Sequence, residues 1–191
     1  MKTSTRKEIM KKIALYTIGI FIFLVVVLGI VAPRDFLVEK QLVINQPPTV
    51  VFEKIKYLKS HNDWNPWLKK DPMAKFEYSG VDGSVGFIVK WNGNSKVGAG
   101  EEEIKGLVEG KRMDLELRFK HPMEAVNQSY LILTPMYEGQ TNVTWGMKGR
   151  VGFPKNVLYL LGNVPKQLGY DFDEGLRILK AMLEKKAENA L

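Results

Sequence analysis

The chain contains no cysteine and only two histidines. Disulfides, thiolate metal sites and a cysteine nucleophile are thereby excluded. Neither His61 nor His121 sits in a cluster with metal-ligand spacing, and no Ser-His-Asp grouping or phosphate-cradling glycine loop stands out, so neither a metal nor a cofactor is implied. Both histidines read as surface residues, His121 beside Pro122 in a turn. Basic charge is also scarce where a nucleic-acid binder would need it. Of the formal +7, the stretch 1–34 accounts for +5, with Lys2, Arg6, Lys7, Lys11, Lys12 and Arg34 against the single acid Glu8. The remaining residues carry only +2 and show no basic stripe, which excludes nucleic acid as a partner. The 45% hydrophobic content with 26% charged residues predicts a packed core and argues against disorder.

The single long apolar run is residues 13–32, IALYTIGIFIFLVVVLGIVA, with no charge in it. At about 1.5 Å per residue a helix of this length crosses the roughly 30 Å hydrocarbon layer, and an isolated segment cannot satisfy its backbone in lipid any other way. A buried core helix would be shorter and carry a polar stripe. A cleaved signal peptide would end in a small-x-small site, whereas Ala32 follows Ile30 by two positions and precedes Pro33. Five basic residues precede the run and only Arg34 and Lys40 closely follow it. The expected topology is single-pass, with the N-terminus cytoplasmic and the rest of the chain extracytoplasmic.

Beyond it, 38–44 reads as a strand stopped by Asn45-Gln46-Pro47-Pro48. Residues 49–55 read as a helix burying Val51, Phe52 and Ile55, and a second short helix or loop holds Trp64, Pro66 and Trp67. After Asp71-Pro72 the period changes to two, with glycine-bearing turns at 80–83, 92–94, 109–110 and 138–139. The clearest strand is 112–119, where Met113, Leu115, Leu117 and Phe119 alternate with charged residues. The same alternation points Phe76 and Tyr78 inward, then Phe87, Val89 and Trp91, then Ile104 and Val108, then Leu131 and Leu133, then Val143, Trp145 and Met147. Leu168, Phe172, Leu176, Leu179 and Leu183 form one stripe of a long terminal helix, which must cover the dry face of the sheet. The fold class is therefore α+β: a strand, two short helices, about six meandering strands and a long helix, with space between layers if the sheet curves.

In this order the segments 44–52 (INQPPTVVF), Trp64-Asn65-Pro66-Trp67 with Asp71-Pro72, Ser79-Gly80 through Gly86 to Trp91-Asn92-Gly93-Asn94, Val97-Gly98-Ala99-Gly100 and Val143-Thr144-Trp145 resemble the START-like, or SRPBCC, superfamily, nearest its polyketide cyclase-like branch. The resemblance implies a helix-grip fold, a curved antiparallel sheet of about seven strands wrapped on the C-terminal helix, with a cavity that often holds a lipid or other apolar molecule. It implies no fixed chemistry. The organisation expected is a basic segment (1–12), a transmembrane helix (13–32), a linker (33–37), the START-like domain (38–187) and a tail (188–191). The chain departs from the pattern in the aliphatic stretch 157–161 and in three successive acids, Glu101, Glu102 and Glu103.

Alternation turns Glu102 into the cavity with Ile104, as a ligand anchor or general acid/base. Asn127 and Ser129 share the face of Leu131 and Leu133 and can hydrogen-bond a ligand. The expected lining is Phe87, Val89, Trp91, Met113, Leu115, Leu117, Trp145 and Met147, facing Leu176 and Leu179. Gly169 and Gly175 lie within the terminal helix at a cost of roughly 1 kcal/mol each relative to alanine, for close packing or for ligand room. The leading function is a membrane-anchored domain that binds a hydrophobic small molecule or lipid without catalysis. The alternatives are a cyclase- or hydrolase-like enzyme with Glu102 as base, and a protein-interaction module whose cavity is filled by its own side chains.

Overall fold

The computed structural model describes residues 2–188, with side chains described for 6–185; Met1 and the last three residues of the expected tail 188–191 lie outside that range. The chain divides into two units. One joins the residues up to Arg34 with Val151–Val164, and the other joins Asp35–Arg150 with the chain from Pro165 onward.

In the first unit, α1 (Lys2–Val31) is long and apolar enough to cross a bilayer. Within 13–32 every residue is exposed except Val25, Gly29 and Ala32, which recur at spacings of four and three and so share one face. That face meets the short helix α5 (Lys155–Leu161).

In the second unit, β1 (Asp35–Ile44) is followed by α2 (Pro48–Ile55), α3 (Leu58–His61) and α4 (Trp67–Lys70). Next come β2 (Lys75–Ser79), β3 (Ile88–Asn92), β4 (Ala99–Val108), β5 (Arg112–His121), β6 (Ala125–Pro135) and β7 (Thr141–Arg150). The long helix α6 (Val164–Glu188) ends the described chain. The seven strands form one antiparallel sheet in the order β1-β7-β6-β5-β4-β3-β2. β1 begins at Asp35 rather than at 38, because the alternation of Phe36 and Val38 with exposed Asp35 and Leu37 continues upstream. Pro47 and Pro48 end it, and Pro48 opens α2, where its missing N–H costs nothing.

The core is the inner face of the sheet against α2, α3 and α6. Phe172, Leu176, Leu179 and Leu183 are buried there as the helical stripe requires, with Leu168 half-buried. Two inward expectations are corrected. β4 carries a bulge between Ile104 and Gly106, so Lys105 and Gly106 both face out, Leu107 rather than Val108 turns inward opposite Met113, and Val108 is exposed. Tyr78, on an edge strand, is also exposed, its ring stacked against Phe87 at 6.3 Å.

Candidate functional site

Strand register lays the inner face out in rows. One row crosses six strands as Val89, Glu102, Leu117, Asn127, Gly149 and Phe36, each paired with the next. Toward one end of the sheet the next row is Trp91, Gly100, Phe119 and Ala125. Toward the other lie Ile104, Leu115, Ser129, Met147 and Val38, then Met113, Leu131, Trp145 and Lys40.

All thirteen lining residues expected from the sequence lie in the second unit; eleven are buried, and Trp91 and Glu102 are half-buried. They do not form one uniform chamber. At the Trp145 end the space is filled by protein. The Trp145 ring stacks on Phe172 at 4.3 Å and meets Trp64 and Trp67 edge-on at 5.1 and 5.8 Å. Met113, Leu176 and Leu179 are sealed beside it. Gly175 is explained here, since a β-carbon on it would stand 2.7 Å from Trp145 and 3.2 Å from Pro66. Likewise a β-carbon on Gly169 would meet the Lys40 side chain at 3.1 Å. Both glycines serve close packing.

His61 belongs to this sealed end, which corrects its reading as a surface residue. It is buried against the Trp64 ring at 4.7 Å, and its Nε2 donates to the Ile55 carbonyl at 2.6 Å. Burial pushes its pKa down to about 4, so the ring is neutral at ordinary pH. Nearby, Asp63 pairs with Lys54 at 2.5 Å. His121 is exposed, as expected.

At the other end the inner face is only half-covered. Trp91 and Phe119 meet edge-to-face at 5.5 Å, and both remain half-buried, as do Phe36 and Leu168. Glu102 lies in the row next to Trp91 and Phe119, between Val89 and Leu117. Its neighbours Glu101 and Glu103 point outward and share Arg118, with Lys120 and Lys105 as further partners. Glu102 has no hydrogen-bond or ion-pair partner among the described residues. Desolvation alone raises its pKa to about 7, so it exchanges its proton near neutrality. Two strands away, about 10 Å by strand spacing, the Asn127 side chain is buried over Gly149, whose missing side chain makes the room. Its Nδ2 touches only the Met147 sulfur, at 4.0 Å, and its Oδ1 has no partner among the described residues. Ser129 differs. It donates to the Gly146 carbonyl at 2.9 Å and accepts from Trp145 Nε1 at 3.3 Å, which makes it a brace for the tryptophan.

The half-covered end therefore offers apolar rings, one carboxyl able to bind or move a proton, and one amide oxygen free to accept a hydrogen bond. Phe36 was not anticipated, although the alternation Phe36, Val38, Lys40 extends the strand pattern to it. A groove of about 550 Å³ crosses β1, β7, β6 and β5 beside Asp35, Leu37, Val126, Glu116 and Lys148, touching Phe36 and Gly149, and none of the thirteen expected residues lines it.

No family model matches the sequence, and neither does any curated protein. Solved structures do match the fold. A norcoclaurine synthase point mutant from Thalictrum flavum, in complex with a transition-state analogue, superposes with a TM-score of 0.61 at 10% identity, covering 80% of this chain and 96% of that one. The ZhuI aromatase/cyclase from Streptomyces sp. R1128 gives 0.59 at 10% identity, covering 81% and 96%. The Aha1 dimer from Colwellia psychrerythraea gives 0.55 at 16% identity, covering 78% and 96%. The chain has the helix-grip, START-like fold, a curved seven-stranded sheet with a long C-terminal helix. At these identities the likeness concerns the fold alone.

Proposed function

We propose that the helix-grip unit binds a hydrophobic small molecule or lipid over its half-covered inner face, and that α1 tethers it to a membrane with the N-terminus cytoplasmic. One observation carries the binding reading. A buried carboxamide oxygen and a desolvated carboxyl, both without protein partners among the described residues, share a row with Val89, Leu117 and Phe36. Leaving such groups unmatched costs about 1–3 kcal/mol each, and a ligand carrying one polar group on an apolar body would offset that cost. The aromatic rings supply the apolar contact. The enzymes among the fold neighbours support a small-molecule ligand by analogy only.

The tether rests on length, exposure and charge. α1 presents uncovered apolar side chains along 13–32, with the basic residues Arg6, Lys7, Lys11 and Lys12 before them. Retention of the full chain in the membrane pellet after alkaline carbonate washing supports it; release into the supernatant removes it.

Native mass spectrometry of the full chain, extracted gently from its own membranes, tests the binding reading. A stoichiometric apolar adduct, lost in Asn127→Leu, is the expected result. An empty protein that also fails to take up fluorescent fatty-acid analogues overturns it and leaves the filled-cavity, interaction-module reading. The position of the Glu102 pKa, about 7, favours one second reading, general acid/base catalysis on the bound molecule. Under it, Glu102→Gln abolishes turnover and leaves the adduct in place.

A further inference from the structure

Residues 151–164 are separated from α1 by the whole sheet in sequence, yet they form one unit with it. The contact is specific. The Phe153 ring lies against Gly29, where any β-carbon would collide with it, and Val157 packs beside it. Asn156 is fully buried, and its Nδ2 donates to the Gly29 carbonyl at 2.8 Å and to the Ala32 carbonyl at 3.2 Å. The Val151 N–H donates to the Arg34 carbonyl at 2.7 Å. The last carbonyls of any helix lack intrahelical donors, and in a water-poor environment they must find others. Here a side chain that follows the last strand in sequence supplies them.

The opposite side of this segment is apolar and uncovered. Leu158 is 60% exposed, Leu161 is 70% exposed, and Leu160 and Phe153 are also open to the outside. Lys155 is the only charged residue in 151–164. Exposed leucines on a helix docked where a membrane-length helix ends fit the boundary between headgroups and acyl chains, where short amphipathic segments settle.

We propose that residues 151–164 are a second membrane contact, an interfacial segment docked on the outer end of α1 with Leu158, Leu160 and Leu161 facing lipid acyl chains. This rests on α1 spanning the bilayer. The protein is thus held at two points of its sequence, before the first strand and after the last.

The absence of cysteine makes the test clean. Full-length Leu161→Cys, Leu158→Cys, Leu24→Cys and Ser95→Cys are each labelled with an environment-sensitive fluorophore and placed in phosphatidylcholine/phosphatidylglycerol nanodiscs. Some discs carry nitroxide-labelled lipids, with the nitroxide either near the headgroup or at the chain end. The probes at 158 and 161 are expected to shift to the blue and to be quenched most by the shallow nitroxide. The probe at 24, in mid-helix, is expected to be quenched most by the deep one, and the probe at 95 by neither. Quenching at 24 with none at 158 and 161 overturns the interfacial segment and leaves the tether intact. A blue shift at 158 and 161 without quenching means that protein, a second copy or a partner, covers them, which also overturns it. No quenching at 24 removes the tether and this inference together.

Discussion

The sealed and half-covered ends of the inner face are built from the same alternating strands. At one end three tryptophans, Phe172 and the α6 leucines close on each other around a neutral histidine whose ring N–H is satisfied by a backbone carbonyl. At the other, Trp91, Phe119 and Glu102 stay half-buried, and neither the Glu102 carboxyl nor the Asn127 carboxamide oxygen has a partner among the described residues. Among the described residues of this unit, the Glu102 carboxyl and Asn127 Oδ1 are unmatched at the half-covered end and Trp64 Nε1 at the sealed end. The difference separates residues that hold the fold from those able to meet a ligand.

The largest expected effect lies at the sealed end. Trp145→Ala removes the centre of the aromatic cluster and should cost about 3–5 kcal/mol of stability in denaturant unfolding, with ligand uptake lost only as folding is lost. A loss below about 1 kcal/mol would mean that this end is not closed in solution.

Next is pH dependence, in which the two ends oppose each other. Glu102 is raised to about 7 from 4.5, so its contribution to stability is complete below pH 4.5 and is lost as pH rises to 7, by up to about 3 kcal/mol. His61 is lowered to about 4 from 6.5, so its contribution is complete above pH 6.5 and is lost as pH falls to 4, by a similar amount. Between pH 4.5 and 6.5 the two slopes offset each other, and the thermal midpoint of the unmodified protein should be nearly level. Glu102→Gln should make it climb with pH, and His61→Gln should make it fall. A Glu102→Gln profile identical to that of the unmodified protein would show that the Glu102 carboxyl is solvated.

Gly175→Ala is smaller. Overpacking against Trp145 costs about 1–3 kcal/mol while helix propensity returns about 1, so a net loss of up to about 2 kcal/mol should appear as a lowered midpoint. A rise would mean that the helix and Trp145 have room between them. Smallest is Asn127→Leu, which removes an unmatched buried oxygen and should stabilise the empty protein by about 1 kcal/mol. Destabilisation would show that the oxygen is already partnered, by water or by a bound molecule.

Much of this architecture was legible in the sequence. Period-two alternation identified the inner face of most strands, and the 168–183 stripe identified the helix that covers it, because burial on one face leaves a periodic trace. Local deviations left none. The bulge that turns Leu107 inward depends on pairing with β5, and the burial of His61 depends on a carbonyl six residues away that happens to face it. Glu102 could be placed on the inner face by counting residues, but its lack of a partner is a property of several strands at once. The docking of Asn156 on Gly29 was wholly illegible, since a contact 127 residues apart carries no spacing signal.

That contact has a consequence in time. Asn156 is synthesised 124 residues after Ala32, and at about 5–20 residues per second the delay is roughly 6–25 s. Throughout that interval the carbonyls of Gly29 and Ala32 lack the donor that later meets them, and Gly29 is bare of Phe153. If the helix reaches its final environment during synthesis, it arrives as a lone segment, its end completed only after the last strand of the sheet has been made.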